Sequence, residues 1–321
     1  MRRFGRRQFL KIVAAGSAAA ASLALVSACR KNGITRKRYP VRLGGWIFNE
    51  SLDPGEWIQE NTKLGYSAAY CPVEADAAPE LVQAYKTAAG QAGLVIAEVG
   101  AWSNPISPIE KDRKDAFDHC CKQLDLADRI GALCCVNIAG SRNPDRWDGP
   151  HENNLTQETF DVIVEVTRKI IDTVQPACTY WALETMPWIF PDSVDAYMKL
   201  IKAIDRKAFA VHLDPVNMTN CPDRFFKNGD MLRYAFKELG PYIKSCHAKD
   251  IRMEEGFPVA LQECRPGLGS LDYAVYLNEV SRLPQQPPLM IEHLETPEEY
   301  AAAAEYIRRV AGKSKLDIAT I

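Results

Sequence analysis

Short apolar runs alternate with amphipathic segments along most of the chain. The runs cover residues 41–48, 68–73, 95–101, 132–139, 180–184, 208–214, 243–247 and 289–292. Each is too short to form a buried helix. Each fits a strand covered on both faces, as in a parallel sheet. The segments between them carry helix-start signals. Asp53-Pro54-Gly55-Glu56, Ser107-Pro108-Ile109-Glu110 and Thr296-Pro297-Glu298-Glu299 each place a capping side chain before a proline and a glutamate. Gly65, Gly93 and Gly131 stand just before the second, third and fourth runs, where a left-handed helix cap is expected. No Gly/Ser-rich linker and no short repeat interrupts the rhythm. Eight β/α units over about 280 residues predict a single (β/α)8 TIM barrel across residues 41–315. A doubly wound open sheet is the alternative. The first strand is followed by no glycine-rich phosphate fingerprint, which argues against a dinucleotide site.

The N-terminus breaks the pattern. Residues 1–29 read as an export signal, and 30–40 as a basic tether. Arg6-Arg7-Gln8-Phe9-Leu10-Lys11 resembles the twin-arginine consensus and precedes a small apolar run. That run ends Val26-Ser27-Ala28-Cys29, which resembles a bacterial lipobox with Cys29 as the lipidated residue. A basic N-terminal helix and ordinary signal cleavage are the competing readings. The expected location is periplasmic or at the cell envelope, with the membrane reached through a lipid anchor rather than a span.

Composition adds exclusions. The 321 residues carry a formal net charge of −2, so no basic excess points to nucleic acid. Ten cysteines form no CxxC or zinc-finger spacing. The adjacent pairs Cys120-Cys121 and Cys134-Cys135 read as buried free thiols. No sequence feature specifies an oligomeric state.

The candidate chemistry lies at strand ends. Trp181-Ala-Leu-Glu184 is an apolar run ending in a carboxylate and followed by a turn. Three later runs repeat the plan, ending at Asp214, His247 and Glu292. A barrel places the C-terminal ends of consecutive strands side by side, so these four would converge on one rim. Three carboxylates and an imidazole suit one divalent cation: Mn2+, Mg2+, Co2+ or Zn2+. Each residue also has a plain structural reading. Glu184 could be a solvated loop charge, Asp214 a turn residue before Pro215, His247 a core histidine, and Glu292 a partner of Lys249. Their recurrence at the same point of four successive units favours a site. His212 shares a strand face with Asp214. Lys249 could contact a hydroxyl or steady a ligand, and Asn217 could line the pocket mouth. Trp46, Trp102 and Trp188 end or follow strands, where indoles suit the apolar faces of sugars. Asp250 and Arg252 are expected to pair on the rim. The loop after the fourth run, with Arg142, Trp147 and His151, could cover the pocket. His119 and His293 are read as structural, with His293 facing away from Glu292.

From Val41 to about Gly312 the chain resembles the sugar-phosphate isomerase/epimerase family of xylose-isomerase-like barrels. The resemblance is carried by Leu183-Glu184, Leu213-Asp214-Pro-Val-Asn217, His247-Ala-Lys249-Asp250, Pro266-Gly267-Leu-Gly269 and Ile291-Glu292. In ketose 3-epimerases of that family the equivalent Glu, Asp, His and Glu bind one divalent metal. The resemblance also places a polar substrate contact near His212. It implies a metal-dependent isomerase or epimerase acting on a keto-sugar through an enediolate. Glu184 and Glu292 would serve as acid and base on opposite faces of the substrate. Lyases of 3-keto-glycosides and dehydratases of cyclic ketoses share the first proton abstraction and are the alternative. A non-catalytic sugar-binding lipoprotein is a third class, and both glutamates argue against it. An apurinic endonuclease of the same fold would need a histidine-rich site and a DNA surface, and the chain has five histidines. No Arg/Lys cluster at a strand end marks a phosphate pocket, so the expected partner is an unphosphorylated small-molecule carbohydrate.

Overall fold

A computed structural model describes residues 37–49 and 53–321. The export signal, Cys29 and most of the tether lie outside the described residues. Arg38–Ile321 forms one compact unit.

Eight parallel strands wind around an axis: β1 (Leu43–Gly44), β2 (Ala68–Tyr70), β3 (Val95–Gly100), β4 (Cys134–Asn137), β5 (Trp181–Glu184), β6 (Phe209–Leu213), β7 (Ile243–Ala248), and a final strand, Leu289–Ile291. The sheet order runs from β1 through the final strand to β7 and down to β2. The Ser67 amide donates to Leu43 O at 2.9 Å across the remaining gap, which brings the two ends of the sheet together. All eight predicted runs therefore contain a strand, and the architecture is the TIM barrel.

Every helix buries apolar residues in the core. They are α1 (Pro54–Leu64), α2 (Pro79–Ala92), α3 (Glu110–Ile130), α4 (Gln157–Val174), α5 (Val194–Ile204), α6 (Pro215–Met218), α7 (Pro222–Phe226), α8 (Asn228–Leu239), α9 (Tyr273–Val280) and α10 (Pro297–Lys313). Asp53 caps α1 in a complete capping box with Glu56, and Thr296 caps α10 through the Glu299 amide. Gly65, Gly93 and Gly131 adopt the left-handed caps expected of them. One start differs. α3 begins at Glu110, because Ser107 Oγ accepts the Ile109 amide and closes a turn before the helix. The Cys120, Cys134 and Cys135 thiols are free and buried.

An antiparallel hairpin unforeseen in the sequence follows β7: β8 (Asp250–Met253) pairs with β9 (Leu261–Cys264), which makes the final barrel strand β10. Asp250 does not pair with Arg252. It is buried, and it accepts the amides of Ile251, Gly267, Gly269 and Leu271 at 2.9–3.1 Å. One carboxylate thus fixes the loop that returns the chain to the barrel. A Cβ at Gly269 would come within 2.3 Å of Asp250 Oδ1, which is why the loop needs glycine there. Arg252 turns outward to Glu254 and Gln262.

A register shift between β2 and β3 matters for the site. Ala69 pairs with Ile96, but Tyr70 pairs with Glu98. The extra residue is a β-bulge, a common device for re-aiming a side chain near a site. Ile96 and Val99 join the outer core, whereas Ala97 packs inside the barrel on Ala68 and Met290. Glu98, the next residue, also faces inward, where it reaches His212 on the opposite side.

Candidate metal centre

Glu184 is the last residue of β5, Asp214 and Glu292 directly follow β6 and β10, and His247 lies near the end of β7. Each of the four offers one donor atom, and these atoms lie within 4.8 Å of one another. His247 Nδ1 is 2.7 Å from Glu292 Oε1, 3.2 Å from Glu184 Oε1 and 3.6 Å from Asp214 Oδ2. The carboxylates are held by their own neighbours. Asp214 Oδ1 caps α6 by accepting the Val216 and Asn217 amides, which leaves Oδ2 for the centre. Thr185 Oγ1 accepts the Asp214 amide and donates to its carbonyl, which ties the ends of β5 and β6 together. Asn217 Nδ2 donates to Glu184 Oε1 at 3.0 Å.

Two of these oxygens, Asp214 Oδ2 and Glu292 Oε1, are buried and accept no well-directed hydrogen bond. Lys249 Nζ lies 2.8 and 2.5 Å from them, so their partner is a charge rather than an aligned donor. Buried carboxylates without aligned donors, converging with an imidazole nitrogen, are a donor set suited to a hard divalent cation. The residues present fit that ion.

Beside the four lies a set of residues that the sequence reading missed, and one of them, Glu98, also lines the cavity over the centre. Glu98 Oε1 accepts from His247 Nε2 at 3.2 Å, and Oε2 accepts from His212 Nε2 at 2.9 Å and Ser245 Oγ at 2.8 Å. With its Nε2 proton held by Glu98, His247 turns Nδ1 to the centre, as the atom a cation would take in exchange for a proton. His212 is fully buried against the His247 ring, 4.0 Å between centroids. It is absent from the cavity wall, which corrects its placement as a substrate contact: it belongs to the packed support of His247.

The charges oppose burial. Burial would raise the Glu98 carboxyl, but the His212 and His247 imidazoles outweigh it and hold Glu98 below the usual carboxylate range. Burial likewise acts to raise Asp214 and Glu292. Lys249 then His247 hold Asp214 down, and His247 then Lys249 hold Glu292 down. Glu184 differs, because burial prevails and leaves it raised despite His247 and Lys249. Burial would lower His247 and Lys249, yet the surrounding carboxylates keep both well above their ordinary values.

Above the centre opens a cavity of about 450 Å3. Trp46, Tyr70, Trp102, Ile138, Trp147 and Met186 supply its apolar walls, and Asn217, Lys249 and Glu263 are among its polar ones. Of the residues expected to meet a substrate, Trp46, Trp102, Asn217 and Lys249 line this cavity. Trp188 does not line this cavity. Its indole donates to Asp148 O at 2.8 Å and fastens the loop that carries Trp147. His293 is a second correction. Its left-handed backbone, φ 56°, turns the side chain back into the cavity, where Nδ1 is 3.0 Å from Glu263 Oε1 and Nε2 is 3.7 Å from Glu292 Oε2. A larger depression of about 750 Å3 lies between outer helices, away from the strand ends. There Arg206 is paired with Asp172, and Arg168 with backbone carbonyls.

Comparison with known proteins gives the same fold. Endonuclease IV from Thermus thermophilus superposes with a TM-score of 0.63 at 16% identity, covering 86% of this chain and 99% of that one. The 3-keto-D-glucoside 4-epimerase YcjR from E. coli gives 0.61 at 14% identity, covering 85% and 100%. D-psicose 3-epimerase from Clostridium cellulolyticum, solved with D-tagatose, gives 0.60 at 16% identity, covering 84% and 99%. No curated protein matches by sequence. A family model, xylose isomerase-like TIM barrel, matches residues 61–310. That span is most of the chain, and with the barrel and its strand-end residues it establishes that this protein belongs to the xylose isomerase-like TIM barrel family.

Proposed function

We propose that the protein is a divalent-metal-dependent sugar isomerase or epimerase acting on an unphosphorylated keto-sugar. The observation that carries this reading is the convergence of Glu184, Asp214, His247 and Glu292, two of which, Glu184 and Glu292, line a cavity walled by tryptophans. A divalent cation held by those four residues would polarise the substrate carbonyl and lower the cost of negative charge on its oxygen. Glu184 and Glu292 come from β5 and β10, which are separated in the sheet by β6 and β7. One carboxylate takes the proton from the carbon beside the carbonyl, and the other returns a proton to the opposite face. Asn217 holds the Glu184 carboxylate in place. Lys249 donates to a substrate oxygen or to the carboxylates around it. Trp46, Trp102, Ile138 and Met186 form walls that keep water from the reacting carbon. Among the cavity walls the cationic candidates are Lys249 and His293, and carboxylates surround both, which disfavours a phosphate group.

A lyase or dehydratase acting on a 3-keto-glycoside is the second reading, and His293 favours it. Its ring, held by Glu263, places a third proton-bearing group in the cavity, outside the four converging residues. The deciding measurement is NMR in D2O with the metal-loaded full chain and a panel of keto-sugars and keto-glycosides. Deuterium entry with an intact carbon skeleton supports epimerisation, and release of an aglycone or water supports the lyase. Binding without exchange or turnover across the panel would refute both and leave a sugar-binding protein.

The twin-arginine and lipobox motifs support export and anchoring through Cys29. Cell fractionation with and without Cys29→Ser tests this, and a soluble cytoplasmic wild type would overturn it. No helix among the described residues is long and apolar enough to cross a membrane.

A further inference from the structure

A second cavity of about 590 Å3 lies beside the first, between the loops that follow β3 and β4. Trp102 and Trp147 line both. These indoles therefore border both cavities, and both are more than two-fifths exposed. Large apolar rings left open at a cavity mouth commonly mark a ligand surface.

The outer cavity is lined by hydrogen-bonding groups as well as rings. Asp112 and His119 come from α3, and Asp145 from the β4 loop. None of these three side chains makes a hydrogen bond among the described residues, so each is available to a ligand. No lysine or arginine lines this cavity and three aspartates do, which disfavours an anionic ligand. Indole faces alternating with carboxylates and an imidazole suit the apolar C–H face and hydroxyl edge of a sugar ring.

Both tryptophan-bearing loops are set in place before any ligand arrives. Asn137 exchanges hydrogen bonds with the Ser103 amide and carbonyl, each 3.2 Å, which fixes the residue after Trp102. Asn143 accepts the Asp145 and Arg146 amides and donates to Pro150 O, and Trp188 holds Asp148 O. Preorganised walls lose little entropy on binding.

We propose that the two cavities form one cleft for a neutral glycoside of at least two rings. The reacting keto-ring lies over Glu184 and Glu292, and the second ring lies beyond Trp102 and Trp147 against Asp112, His119 and Asp145. This assignment rests on the reading of the central cavity as a keto-sugar site. It goes beyond that reading by making the substrate a disaccharide-sized glycoside rather than a monosaccharide.

The test titrates the metal-loaded full chain with a 3-keto-hexose and with glucose disaccharides oxidised at C3 of one ring. Calorimetry gives Kd, and NMR in D2O gives exchange at the reacting carbon. The two-ring ligand is expected to bind about tenfold tighter or more, the scale of one charge-assisted hydrogen bond. Asp112→Ala combined with Asp145→Ala, both exposed positions, should collapse that ratio toward one with at most a small fall in melting temperature, Asp112 standing in the first turn of α3. Equal affinities in the wild type, a ratio that survives the double substitution, or binding of neither ligand would overturn the proposal. If the ratio and its collapse are found but neither ligand exchanges deuterium, the cleft stands and the enolising chemistry fails. If both ligands exchange and the ratio is absent, the chemistry stands and the cleft fails.

Discussion

Replacing Glu98 separates a structural role from a chemical one. This carboxylate accepts from His247, His212 and Ser245, and it is 2% exposed. Glu98→Ala leaves three donors facing a void, and breaking a buried charged network of this kind costs about 3–5 kcal/mol. Glu98→Gln keeps the shape and changes the proton count. Glutamine can accept with one atom but must donate with the other. If its NH2 group faces His247 Nε2, that nitrogen becomes an acceptor and the ring proton moves to Nδ1. Nδ1 then points a hydrogen at the centre formed by Glu184, Asp214 and Glu292 and no longer offers a lone pair. If instead the NH2 group faces His212 and Ser245, the His212 Nε2 proton loses the acceptor it has at 2.9 Å, Ser245 must rotate its hydroxyl to accept, and His247 keeps only a neutral acceptor. Either arrangement weakens the support of the ligand nitrogen, and losses of this kind lower metal affinity by about 10–100-fold. The assay is calorimetric titration of Mn2+ into the metal-free full chain, with thermal unfolding of the same metal-free samples. Glu98→Gln should lose metal affinity while keeping most of its metal-free stability, and Glu98→Ala should lose both. Unchanged affinity in a folded Glu98→Gln protein would refute the argument that Glu98 sets the His247 tautomer.

Three further outcomes are expected. Glu184→Gln, loaded with metal, should lose deuterium exchange by at least about 100-fold, the usual scale for a general base; wild-type exchange with metal bound would remove Glu184 from the mechanism. Metal affinity should rise with pH through neutrality, by up to about tenfold per unit, because a cation at Nδ1 displaces a proton from His247. The sign follows from the raised His247 value: burial would lower it, but Glu292, Glu184 and Glu98 outweigh burial, so the metal-free ring keeps its proton above its ordinary 6.5. That proton stabilises the metal-free fold fully below pH 6.5, and its contribution is lost as pH rises through the elevated value. A flat affinity profile between pH 6 and 8, a window of about two units around the histidine range, would contradict this. Asp250→Ala removes the acceptor of four backbone amides and should cost about 2–4 kcal/mol, with amide exchange speeding up at Gly267, Gly269 and Leu271 first; unchanged protection there would show that the loop does not depend on Asp250.

The residues legible in the sequence are those whose position follows from the strand repeat. Glu184, Asp214, His247 and Glu292 end or adjoin successive apolar runs, and parallel strands in a closed sheet bring such ends together whatever the chain length between them. Trp46 and Trp102 were found in the same way. Where the repeat is locally broken, the reading failed. The period of two predicts that Ala97 and Glu98 face opposite sides of β3, and the bulge turns both inward. His293 was expected to face away from Glu292 for the same reason, and its left-handed backbone reverses that too. Asp250 was expected to pair with Arg252 on the rim, yet a buried carboxylate is better satisfied by four amides than by one exposed guanidinium.

A signal for Glu98 was nonetheless present: a single carboxylate within Val95-Ile-Ala-Glu98-Val-Gly100, an otherwise apolar strand of a sheet covered on both sides. A charge there must find partners, because leaving it unpaired costs several kcal/mol. The partners that a parallel barrel can offer are inward-facing side chains from strands across the axis, here His212, Ser245 and His247 from β6 and β7. The strand ends thus encode the atoms that face the ligand, and a lone charge inside a strand encodes what holds them. The second statement depends on the physical cost of burial rather than on the period of the fold, so it survives the bulge that defeats the first.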